Sequence, residues 1–137
     1  MFERDYIMKL LADLLQAIVK SMLQAEKEEN PYLAAQTLEA AIGNAVDMDA
    51  SVFMSLSPES MASIMTISHT DPRSTEYIAR SLALAADYNR KAGFAELADL
   101  RMGQARAVAC AFGHDIADME GDPQASMRDF LDEEDRA

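Results

Sequence analysis

The chain has a single cysteine, Cys110, so no disulfide can form within it and its framework must come from packing. It is also poor in bases. Twelve Lys and Arg stand against 24 Asp and Glu, a formal net charge of −12. A surface of that sign lacks the basic patch that nucleic acid requires, and anionic lipid headgroups repel it. Neither nucleic acid nor a membrane is therefore expected as a partner. Asp13 and Lys20 interrupt the longest apolar stretch, which leaves no segment of membrane-spanning length. The opening Met1-Phe2-Glu3-Arg4-Asp5 places acids where a secretory signal is basic. With the lone cysteine, this makes the cytoplasm the expected location. A Gly-rich phosphate loop, a nucleophile elbow and an HExxH pair are all missing from the sequence. The expectation is a non-enzymatic chain without a cofactor.

Only four prolines occur, and each follows a residue able to cap a helix: Asn30-Pro31, Ser57-Pro58, Asp71-Pro72 and Asp122-Pro123. An Asn, Ser or Asp oxygen accepts from an orphan N–H of the first helical turn. Proline suits the next position because its missing N–H is not needed there. The four dipeptides predict four helix starts. Gly93, Gly113 and Gly121 fall where helices should stop. This punctuation predicts an all-α fold, a bundle or short solenoid of five to six helices built from antiparallel hairpins. At 137 residues one domain is expected, residues 1–121, followed at 122–137 by a short acidic helix and a frayed tail.

The first helix is predicted over about residues 2–28. Ile7, Leu11, Leu14, Ile18 and Met22 form one apolar line; Met8, Leu15, Val19 and Met22 form a second. Such a wide face belongs to a helix at the centre of a bundle or at a subunit interface, and burial in its own core is the ordinary role. The second helix starts at Pro31. Gly43 inside it costs about 1 kcal/mol relative to alanine, which a close helix contact would explain. Val52, Phe53 and Leu56 form a short apolar segment, and a helix from Pro58 carries Met61, Ile64 and Met65. Helices over residues 72–91 and 95–112 follow. The second of these carries small residues at Ala98, Ala105 and Ala109 that permit close approach. Between Asp115 and Asp135 there are nine acids and one base, Arg128. Met127, Phe130 and Leu131 give that acidic segment one apolar patch.

Within residues 76–112, Leu82, Ala86, Gly93, Ala98, Met102 and Ala105 stand in the register of a tetratricopeptide repeat, and the pair of helices resembles one. Asn89 stands where a tyrosine is usual, with Tyr88 next door. The opening Met1-Phe2-Glu3-Arg4-Asp5-Tyr6-Ile7-Met8 and the central Leu56-Ser57-Pro58-Glu59 resemble a family of small uncharacterised bacterial helical proteins. Those also end in a tetratricopeptide-like hairpin. The resemblance implies a bacterial, cytoplasmic, all-helical protein and supplies no catalytic residue.

Candidate chemistry is sparse. Cys110 and His114 are four apart and could offer two metal ligands, but a structural zinc site takes about four. The plainer reading is a small buried thiol and a histidine at a helix C-terminus. Asp115, Asp118, Glu120 and Asp122 are hard oxygen ligands without EF-hand spacing, better read as a solvated connector. Asp47 and Asp49 read as surface charges and caps. The function expected is protein–protein interaction or self-association, with an unknown partner protein or a second copy held through the first helix. The alternative is a small-ligand or metal-binding helical domain. Asn89, Arg90, Arg101 and Arg106 are the candidate polar residues of an interaction groove. Met127, Phe130 and Leu131 are candidates for docking the tail on its own hairpin or on a neighbouring subunit.

Overall fold

The structure, a computed structural model, describes residues 2–136. Met1, where the opening motif begins, and Ala137 at the end of the acidic tail lie outside the described residues.

All four capping dipeptides open helices. Asn30 Oδ1 accepts from Leu33 N at 3.0 Å, Ser57 Oγ from Ser60 N at 3.2 Å, Asp71 Oδ1 from Arg73 N at 2.7 Å, and Asp122 Oδ1 from Ala125 N at 3.2 Å. The elements are α1 (Phe2–Glu26), α2 (Pro31–Ala45), α3 (Ala50–Phe53), α4 (Pro58–Ile67), α5 (Pro72–Lys91) and α6 (Ala95–Phe112), then a 3₁₀ turn (Ala117–Glu120) and α7 (Pro123–Arg136). Six of these helices have ten residues or more, and α3 is a single turn capped by Asp49. Gly93 and Gly113 close α5 and α6 in the left-handed conformation, with φ of 94° and 73°. Helix α1 ends at Glu26, two residues earlier than expected. The left-handed residue beyond it is Glu29, φ 50°, so no glycine marks the stop.

The fold is an all-α bundle. α1 pairs with α2 and α5 with α6 as hairpins; α2 lies on α5, and α4 covers α6. The 3₁₀ turn and α7 fold back onto α5, which closes the assembly as a bundle rather than leaving a solenoid end. The centre is α5. Every residue from Ile78 to Ala86 is buried, the signature of a helix covered all round. Ala79, Ala83, Ala85 and Ala86 keep its surface shallow enough for several neighbours to approach at once. The Tyr88 hydroxyl meets Ser21 Oγ of α1 at 3.0 Å, and burial pushes this phenol well above its ordinary pKa.

This central place corrects the expectation for α1. Its first apolar line does turn inward, with Leu14, Ile18 and Met22 buried. Its second does so only in part: Met22 is buried and Leu15 packs against the core, whereas Met8 and Val19 are about half exposed, as is Leu23. α1 has one neighbour along its length, α2, and touches α5 only lightly. A single partner covers one side of a helix and leaves the other to solvent.

Two helix-interior glycines mark close approaches. A Cβ on Gly103 would lie 3.2 Å from Pro58 Cγ, and one on Gly43 would lie 2.5 Å from Ala50 Cα. The second contact is with backbone at the start of α3, which cannot swing aside. Alanine at position 43 gains about 1 kcal/mol of helix propensity, whereas overpacking costs about 1–3 kcal/mol. Gly43→Ala is therefore expected to lower stability by up to about 2 kcal/mol in urea unfolding. A more stable variant would show that the α2–α3 contact yields.

Candidate functional site

The four polar candidates divide into two unrelated groups. Arg101 and Asn89, expected on a groove surface, are buried at 5% and 3% exposure. A buried guanidinium must be neutralised and hydrogen-bonded, or its desolvation is prohibitive. Glu39 on α2 supplies the charge: Arg101 Nε donates to its Oε2 at 2.9 Å and Nη2 to its Oε1 at 3.2 Å. Asn89 Nδ2 donates to Glu39 Oε2 at 2.8 Å and to Ala85 O at 2.8 Å. Arg101 Nη1 donates to Met54 O and to Gln104 Oε1. Gln104 Nε2 donates to Met54 O at 3.0 Å and Leu56 O at 2.8 Å. One network thus ties α2, α5, α6 and the α3–α4 connection together, and it satisfies two carbonyls that have left helical pairing.

Above the Arg101–Glu39 pair lies a groove of about 530 Å³, walled by Ala40, Ala50, Met54, Leu97 and Leu100. Near it Tyr32 and Phe94, each about half exposed, face one another with centroids 5.8 Å apart. Arg101 is the base of this groove, not a free rim charge.

Arg90 and Arg106 lie elsewhere, on a cleft of about 270 Å³ where α5 and α6 meet the 3₁₀ turn. Both are exposed and both are paired, Arg90 with Asp99 at 3.0 Å and Arg106 with Glu120. Exposed pairs of this kind contribute little to stability.

The tail candidates are mostly core. Met127 and Phe130 are buried and Leu131 half-buried against the rest of the chain. The Phe130 ring meets Tyr77 of α5 edge-on at 5.0 Å and carries the Arg80 guanidinium 4.5 Å from its centroid. The tail therefore docks on its own hairpin, at α5. The acidic connector is likewise engaged. Arg80 Nη1 donates to Asp118 Oδ2 at 2.9 Å, and Arg80 Nη2 donates to Asp115 O at 3.3 Å. Arg80 Nε holds Glu76 Oε2 at 3.0 Å. Sequence reasoning passed over Arg80 and Glu39. The i,i+4 spacing of Glu76 and Arg80 was a usable signal for the first. Nothing local announces Glu39, whose partners are fifty or more residues away.

Cys110 is exposed rather than buried: α6 presents its neighbour Ala109 to the core instead. His114 follows the C-cap Gly113. Its Nε2 lies 2.7 Å from Thr75 Oγ1, and its Nδ1 3.7 Å from Glu76 Oε1. Among the described residues, no three His, Cys, Asp or Glu side chains converge as metal ligands would. No helix of the described chain is long and apolar enough to cross a membrane. Asp49 is held below the usual carboxylate range, first by the Ser51 hydroxyl and then by the backbone N–H groups it caps.

Neither the known family models, nor the curated proteins, nor the solved structures contain a match to this chain.

The network makes a quantitative expectation. Replacing Arg101 alone leaves Glu39 half-buried without its cation and takes one of two donors from Met54 O, so Arg101→Met should cost about 3 kcal/mol. Equilibrium urea unfolding measures it. A loss below about 1 kcal/mol would place the pair among ordinary surface bridges.

Proposed function

We propose that this chain is a non-enzymatic helical module for protein–protein interaction or self-association in a bacterial cytoplasm. The observation that carries the reading is the outward line of α1. Met8, Ala12, Val19 and Leu23 lie on one face of the helix, with Leu15 between them half-buried against the core. Met8, Val19 and Leu23 are 47%, 50% and 49% exposed. A line of aliphatic side chains on one helix face is the seam by which one helix packs on another, and contiguous exposed apolar surface of this kind marks interaction sites.

A second copy of the chain is the partner proposed for this face. Two α1 helices lying side by side would cover each other's line, as isologous contacts do. The buried ionisable groups support a module of this type, because they serve the fold. Arg101 and Glu39 join helices, and Arg80 holds the connector. The resemblance of Met1–Met8 and Leu56–Glu59 to small bacterial helical proteins points the same way and adds no chemistry.

Light scattering coupled to gel filtration tests the reading. The native chain is expected as a dimer at concentrations of about 10–100 μM, and the double variant Val19→Lys, Leu23→Lys as a monomer with unchanged helical circular dichroism. A native chain that stays monomeric throughout that range would overturn self-association through α1.

A further inference from the structure

A groove of about 370 Å³ runs between α1, the first turns of α5 and the end of α7. Met8 and Leu11 form one wall, Tyr77 and Phe130 the floor, and Glu76 and Glu134 the polar edge. Behind the floor, the chain already holds one guanidinium. Arg80 sits 4.5 Å over the Phe130 ring, with Glu76 Oε2 and Asp118 Oδ2 accepting at 3.0 and 2.9 Å. An aromatic face with two carboxylates is an effective environment for a guanidinium, joining cation–π attraction to charge-assisted hydrogen bonds.

The open side offers a second aromatic ring, Tyr77, and a second carboxylate, Glu134, with Arg73 and His114 also in its lining. The Tyr77 ring stands at 5.0 Å from Phe130. Glu76 Oε1 lies 3.7 Å from His114 Nδ1, beyond hydrogen-bond reach. Glu134 is exposed and makes no ion pair among the described residues. Arg73 on the wall is held by Asp71 through Nε at 3.1 Å and Nη2 at 2.7 Å, and its Nη1 lies 3.8 Å from Met8 Sδ. Burial, then the charges of Glu134 and Glu76, raise the Tyr77 phenol above its ordinary pKa. Beyond the groove, α7 shows Asp129, Asp132, Glu133 and Asp135 to solvent.

We propose that this groove docks a basic segment of a protein partner, seating an arginine or lysine side chain between Tyr77, Glu76 and Glu134. The methylenes of that side chain lie along Met8 and Leu11, as such stems do on apolar surface. A peptide segment is favoured over a free small cation by what surrounds the groove. Along its wall it offers Met8 and Leu11, and at Glu134 it joins the acidic outer face of α7. A single small cation would use neither, whereas an amphipathic basic helix meets both. The proposal rests on the reading of the chain as an interaction module and names one partner chemistry for it.

The test is fluorescence anisotropy of a labelled synthetic amphipathic helix, arginines on one face and leucines on the other, titrated with the full chain at about 0.1 M salt. The same peptide with glutamine for arginine is the control. The arginine peptide should bind and the glutamine peptide should not. Glu134→Arg places a cation at the edge of the site and should weaken binding about tenfold or more. Glu28→Arg makes the same charge change just beyond the far end of α1 and should weaken it less than about twofold. Equal losses from the two variants would reduce the effect to net charge and overturn the site. Equal binding of the two peptides, or none below about 1 mM, would also overturn it. Competition by free arginine amide at peptide-like concentration would assign the groove to small cations and overturn the peptide. Light scattering on Glu134→Arg keeps the two readings separate, since α1 self-association leaves Val19 and Leu23 untouched by that change.

Discussion

Helix α5 is enclosed on every side from Ile78 to Ala86, and the rest of the architecture follows from what that enclosure requires. A helix can be covered all round only if its side chains are short enough for several neighbours to reach it. Ala79, Ser81, Ala83, Ala85 and Ala86 meet that condition. α2 and α6 take two sides, and the 3₁₀ turn with α7 takes another. Arg80, in the middle of the enclosed stretch, then imposes a second condition. Its guanidinium cannot be buried without counter-charges. The acidic connector supplies Asp118 and a carbonyl from Asp115, and α7 supplies the Phe130 ring. One acid of the segment after α6, Asp118, therefore serves the interior.

The same logic operates on the other side of α5. Where α3 and α4 fail to join as one helix, Met54 O and Leu56 O lose their helical partners. Gln104 and Arg101 reach across from α6 to satisfy them. Arg101 in turn requires Glu39, and Glu39 brings in Asn89. Each buried polar group thus answers the need of another, as low-dielectric interiors demand. The buried charges are thus structural, and the exposed apolar surface lies on the α1 line and in the grooves flanking it and α6.

Much of the helical punctuation was legible in sequence. Capping is a local event, and Asn30, Ser57, Asp71 and Asp122 each bond within three residues of themselves. The end of α1 was not legible, because Glu29 takes the left-handed conformation normally marked by glycine. Gly43 was legible as a close contact, although its neighbour is the start of α3 rather than a long helix. The candidate site was read less well. Arg101 and Asn89 looked like surface groups because arginine and asparagine usually are. Their burial depends on Glu39, 62 residues before Arg101. Cys110 looked buried because free thiols usually are, and only the rotation of α6 shows otherwise.

The sequence by itself determined that the chain is all-helical, where most helices begin, and that it carries a strongly negative charge. These follow from interactions a few residues long and from composition. Only the tertiary structure decided that α5, not α1, is the centre, that Met127 and Phe130 close the core, and that one line of α1 stays exposed. The reason is that an apolar periodicity states which residues seek cover and leaves open which neighbour provides it. α1 and α5 both display more apolar surface than one partner can bury. Helix α5 meets several partners because its alanines admit them, and α1 meets little beyond α2.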